Sequence, residues 1–76
     1  MRDREVVEAA YDAAETVVFS RLDRSAVADL DITVTFEAGT LDVDVYIDAE
    51  GDTDAEQVAD DAALAARAAA DDLLED

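Results

Sequence analysis

The side chains in this sequence that could do chemistry are almost all carboxylates. Asp42, Asp44 and Asp48 alternate along one run, and Asp31 and Glu37 lie along the run before it. Carboxylates spaced by two on an extended segment point to one side, where they could gather a hard cation that prefers oxygen ligands. A tight site needs more than a row. No Asp-x-Asp-x-Asp-Gly loop with a distal glutamate is present, and a flat face does not wrap about six oxygens around an ion. The row is therefore expected to be a solvated face attended by nonspecific hydrated cations, with no metal site and no cofactor. Asp60-Asp61 and Asp71-Asp72 read the same way, with Arg67 placed to offset Asp71 one helical turn on.

Covalent catalysis has little to work with. The chain contains no histidine, cysteine or lysine, which removes the usual general base and the two most reactive nucleophiles. The hydroxyls of Ser20, Ser25, the threonines and the two tyrosines stand in no recognisable pairing with a base. A carboxylate pair acting as acid and base would need a pocket, and few large side chains remain to line one once a core is assigned. The expectation is a protein that is not an enzyme, with a small carboxylate or metal-dependent enzyme as a remote alternative. Nucleic acid is a poor ligand as well, because binding it relies on cationic contacts to phosphate. The five arginines, Arg2, Arg4, Arg21, Arg24 and Arg67, form no dense patch. Four of them flank the ends of one predicted helix, nearly 30 Å apart by helical rise.

The elements that must carry these residues follow from hydrophobic spacing. From Asp3 to Leu22, Val7, Ala10, Tyr11, Ala14, Val18 and Leu22 recur at helical period, and Val6 and Val17 widen the face. From Asp29 to Asp48 the period drops to two, with Leu30, Ile32, Val34 and Phe36, then Leu41, Val43, Val45 and Ile47, on one side. This is a β-hairpin with one buried face. Its parity pairs Phe36 with Leu41, Val34 with Val43, Ile32 with Val45 and Leu30 with Ile47, which only an even loop satisfies. Either Ala38-Gly39 is a two-residue turn, straining Ala38 if its φ is positive, or Glu37 to Thr40 is a four-residue loop. The four-residue loop is favoured. Thr53-Asp54-Ala55-Glu56 matches a capping box that opens a second helix running to Leu74. Val58, Ala62, Ala65, Ala66, Ala69 and Leu73 form its inner stripe. The predicted fold class is α+β: a single domain over residues 1–76 in the order helix, strand, strand, helix (αββα), with both helices on one face of an antiparallel hairpin.

A two-stranded sheet is marginal alone, and both of its strands are edges. Pairing of two copies side by side would give a four-stranded antiparallel sheet under four helices. The first strand is the favoured seam, because Thr33 and Thr35 lie at the centre of its solvent face, whereas the second strand presents Asp42, Asp44 and Asp48. A homodimer and a monomer whose helices cover enough of the sheet both remain open. Apolar residues on the wrong faces offer partner anchors: Leu64 among Gln57, Asp60, Arg67 and Asp71, Phe19 near Asp12 and Glu15, and Tyr46 outward on the second strand. Scattered exposed hydrophobes and a Phe19 folded under the helix end are the plain alternative.

Charge then sets the solvent. Twenty-two acids against five arginines in 76 residues leave a net charge of −17. Fifteen aspartates, seven glutamates and seventeen alanines are the usage of a protein adapted to multimolar salt. Two like charges about 10 Å apart in water repel by roughly 0.4 kcal/mol, and a domain of this size has only about 4–11 kcal/mol of stability to spend against many such pairs. At 1 M salt the screening length falls to about 3 Å and most of that repulsion is gone. A halophilic, cytoplasmic protein is expected. The opening Met-Arg-Asp-Arg-Glu has no apolar stretch behind it, so no secretory leader is expected, and no apolar run is long enough to span a bilayer.

Three segments together resemble a known family. They are Glu5-Val-Val-Glu-Ala-Ala-Tyr-Asp-Ala-Ala-Glu, the hairpin from Asp31 to Asp48, and Asp60-Asp-Ala-Ala-Leu-Ala-Ala-Arg-Ala-Ala. Over nearly the whole chain the pattern is similar to a family of small archaeal proteins known as a domain of unknown function, often encoded beside the beta subunit of the chaperone prefoldin. That resemblance implies a role linked to protein folding or translation and assigns no active residue. The expectation is a non-enzymatic interaction module that binds a protein partner or itself, with a nucleic-acid-related accessory factor of the translation apparatus as the runner-up.

Overall fold

A computed structural model describes residues 2–51 and 54–75. Helix α1 spans Arg2–Arg21, a single 3-10 turn spans Arg24–Ala26, strands β1 and β2 span Val27–Glu37 and Thr40–Ala49, and helix α2 spans Ala55–Glu75. The two strands form one antiparallel sheet, so the fold is the αββα arrangement of an α+β protein.

The hairpin register is the one that parity demands: Leu30 faces Ile47, Ile32 faces Val45, Val34 faces Val43 and Phe36 faces Leu41. A one-residue slip would turn every one of these side chains to solvent. The turn differs from the favoured loop. Glu37 pairs with Thr40, leaving Ala38-Gly39 as a two-residue connection with φ of 50° and 79°. Two successive positive φ values are those of a type I′ turn, whose twist matches that of the strands it joins. The ladder extends to the last residue before the turn because strand twist outweighs the strain of holding an alanine in the left-handed region. At the open end, an irregularity between Val27 and Asp29 leaves Ala28 outside the regular register.

Near that end the Glu50 N–H donates to the Ala26 carbonyl at 2.9 Å. The α1–β1 and β2–α2 connections are thus neighbours. Since α1 arrives there and α2 departs there, the helices run antiparallel, and an Arg21–Asp61 ion pair joins them close to this end. The predicted capping box rests on Thr53, which lies outside the described residues. The visible cap is Asp54, whose Oδ1 accepts the Gln57 N–H at 3.1 Å, the bond that an N-cap side chain makes to the third helical residue.

The buried set is Val6, Ala10, Ala14 and Val18 from α1 with Leu22 just past its end, Ile47 from β2, and Val58, Ala62, Ala66 and Ala70 from α2. Each helix contributes a row spaced by four residues. On α1 this row departs from the expected face, since Val7 is half-buried and Tyr11 is 41% exposed. The reason is steric: two alanine-lined helices approach closely, and side-chain size at the contact sets that distance. Alanines fit the contact, and a tyrosine is displaced to its rim. On α2 the row continues to Ala70, while Ala65, Ala69 and Leu73 flank it. The sheet is covered less completely. Ile47 is buried, whereas Leu30, Ile32, Val34, Phe36, Leu41, Val43 and Val45 face the helices and remain half-buried. The described chain measures 40 × 18 × 17 Å, a long ribbon rather than a sphere.

Candidate functional site

The outward face of the sheet is built by alternation. Between the inward apolar residues of each strand lie outward ones, so Asp29, Asp31, Thr33, Thr35 and Glu37 of β1 stand across from Asp48, Tyr46, Asp44, Asp42 and Thr40 of β2. Thr33 and Thr35 are exposed, as are the acids. Tyr46, directly opposite Asp31, is 58% exposed. The carboxylates are thus set out along one face of the sheet, and among the described residues no group of three or more acids converges as a metal site would require.

The edges follow from the turn. In an antiparallel hairpin closed by a two-residue turn, the residues flanking the turn form a hydrogen-bonded pair, and such pairs then alternate along the ladder. Glu37–Thr40 is that first pair, so Thr35, Thr33, Asp31 and Asp29 also direct their backbone groups toward β2. The N–H and C=O of Phe36, Val34, Ile32 and Leu30 point the other way. Among the described residues the sheet has two strands, so this outer edge of β1 meets no further strand there. The residues that offer free backbone groups are therefore the same ones whose apolar side chains are half-buried under α1.

The remaining candidates lie on the helices in different surroundings. Phe19 packs against the core cluster, and the Arg24 guanidinium lies 4.3 Å from its ring centroid, a cation–π contact that closes over the ring. Phe19 is thus half-buried, as the plain alternative anticipates. With Glu15, Thr16, Ser20 and Arg24 it lines a shallow surface depression. Leu64 is 65% exposed, on the side of α2 opposite the row Val58, Ala62, Ala66 and Ala70. Of the two predicted helical anchors, Leu64 is the one presented to solvent. Sequence reasoning missed Asp61, which accepts from both Arg21 and Gln57 and ties the helices together. Its separation of 40 residues from Arg21 leaves no local signal. Arg4 lies 3.7 Å from Glu8 on the exposed side of α1. Among the described residues no helix is long and apolar enough to cross a membrane.

Comparison with known proteins gives a consistent picture. A family model described as a protein of unknown function (DUF3194) matches residues 3–73. An uncharacterized protein of the haloarchaeon Natronomonas pharaonis is 52% identical over 71 residues, covering 93% of this chain and 86% of that protein. No solved structure matches.

Proposed function

The chain belongs to the DUF3194 family of small archaeal proteins of unknown function, and from that premise we propose that it is a non-enzymatic protein-interaction module that associates with itself through the free edge of β1. One observation carries this reading: among the described residues the sheet has two strands, and the unpaired edge of β1 is formed by residues whose apolar side chains are incompletely covered. Unpaired strand edges are templates for further pairing, and natural proteins block them with charge or cover them. Beside this edge, the outward face of β1 has Thr33 and Thr35 at its centre, whereas β2 carries Asp42, Asp44 and Asp48 beside its own edge. A second strand added to β1 would extend the sheet, and the second copy's helices would add to the cover of its apolar face.

In this proposal the remaining carboxylates form the hydrated surface of a halophilic cytoplasmic protein, and Leu64 and Tyr46, with the shallow depression that Phe19 lines, are contact points for a further protein partner, in a role linked to protein folding or translation. The test is mass measurement by light scattering in about 2 M KCl, where the screening length is only a few Å and charge repulsion between copies is suppressed. A dimer mass is expected. A monomer mass at high protein concentration refutes self-association. Capture of a tagged copy from a native extract at the same salt, repeated with Leu64→Asp, then tests the partner surface: a protein retained by the parent and lost by the variant is expected.

A further inference from the structure

We infer that the second copy docks antiparallel along β1 in one register, with the two-fold axis at Ile32, so that Asp31 of each copy faces Thr33 of the other and Asp29 faces Thr35. The inference rests on the self-association reading and adds the register to it. Because Leu30, Ile32, Val34 and Phe36 direct their backbone groups off the edge, hydrogen-bonded pairs across a symmetric seam must join these even-numbered residues to each other. A two-fold axis perpendicular to the sheet also keeps both helical layers on one side. Only a few registers meet these conditions, and the outward face of β1, with its order Asp29, Asp31, Thr33, Thr35, Glu37, separates them.

Like charges directly opposite each other across strands are destabilising, and threonine opposite a hydrogen-bonding partner is favourable. With the axis at Thr33, Glu37 would face Asp29 at both ends of the seam. With the axis at Val34, Glu37 would face Asp31 twice. With the axis at Asp31, that aspartate would face its own copy. An axis at Thr35 avoids acid pairs, but the turn at Ala38-Gly39 cuts the ladder to residues Thr33 to Glu37, and Val34 against Phe36 is then the only kind of hydrogen-bonded pair. With the axis at Ile32 the ladder runs from Asp29 to Thr35, stopping at the irregularity around Ala28. Leu30 pairs with Val34 and Ile32 with its own copy, on the apolar side. Every regular outward pair is then a threonine hydroxyl facing a carboxylate, which it can donate to. The bulge that ends regular pairing and the placement of two threonines between acids both fit this one register.

The chain has no cysteine, so introduced thiols report on the register without background. Odd-numbered residues form the non-hydrogen-bonded pairs of the seam, whose side chains lie closest and suit a disulfide. Asp31→Cys and Thr33→Cys, co-expressed and oxidised mildly in high salt, are expected to cross-link the mixed dimers that form between them, while either variant alone stays mostly uncross-linked. Both positions are exposed, and an unchanged circular dichroism spectrum verifies folding. Cross-linking of Thr33→Cys to itself, of Thr35→Cys to itself, or of these two to each other as the dominant product marks another register and overturns the inference. A dimer mass for the parent protein with no cross-link in any combination places the interface away from β1 and overturns it too. A monomer mass removes the self-association reading beneath it.

Discussion

Ala38 holds a left-handed φ of 50° in the turn, a conformation that costs an L-residue with a Cβ roughly 1–2 kcal/mol. Asparagine tolerates it better, and Asn-Gly is the preferred type I′ pair. Ala38→Asn is therefore expected to stabilise the protein by about 0.5–1 kcal/mol, seen as a rise in melting temperature of several degrees for a domain of this size. Asp54 is the converse case: Asp54→Ala removes the acceptor of the Gln57 N–H and is expected to cost about 1 kcal/mol in the same measurement. Leu64→Asp is expected to leave the melting temperature within the range of an ordinary surface change, about 0.5 kcal/mol, because the side chain is 65% exposed. Phe19→Asp would instead unpack a ring held against the core and under Arg24, so a loss of binding in that variant would not separate contact from folding. The hairpin residues were legible from parity alone, including Tyr46 opposite Asp31. Ala70 and the rim position of Tyr11 were not, since each depends on how closely a second helix approaches.

At the scale of elements, the helix pair is held by surfaces of alanine. Ala10, Ala14, Ala62, Ala66 and Ala70 are fully buried, so each contributes little apolar area, and the contact gains from its closeness. Ala66→Leu would force the helices apart and is expected to cost about 1–3 kcal/mol in chemical denaturation, the usual range for overpacking. Val18, one of the two largest fully buried side chains, acts in the opposite sense: Val18→Ala is expected to cost about 2 kcal/mol, from two lost methyl groups at roughly 0.8 kcal/mol each and the small cavity left behind. With so few large residues inside, the hairpin's apolar face depends on whatever covers it. That dependence is why the edge of β1 matters to function.

For the whole molecule, a net charge of −17 on 76 residues sits on a thin, elongated body with a long axis of 40 Å. Carboxylates line the outward sheet face and the exposed sides of both helices, and among the described residues only the Arg4–Glu8 and Arg21–Asp61 ion pairs offset them. Stability is therefore expected to rise with salt: the melting temperature followed by circular dichroism should increase between about 0.1 M and 3 M KCl, as the screening length falls from about 10 Å to below 3 Å. An unchanged transition over that range would show that self-repulsion is not a significant term. The same screening lets two acidic copies approach, so dimer mass is expected to be favoured by salt as well.

Composition and spacing were enough to establish the order of elements, the hairpin register, the acid-rich surface and the family likeness, because each rests on local periodicity or on summed charge. Alternation of period two excludes every odd slip of the strands, which would expose Val34 and its neighbours, and the short connection between Phe36 and Leu41 selects this register among the even ones. Strand twist chose the two-residue turn over the longer loop, and the tertiary structure decided what depends on contacts between distant segments: the row of alanines joining α1 to α2, the Asp61 link to Arg21, and the half-covered apolar residues along the free edge of β1. These are packing outcomes, in which the size of one side chain sets the distance at which another segment can rest, and no window of neighbouring residues contains both.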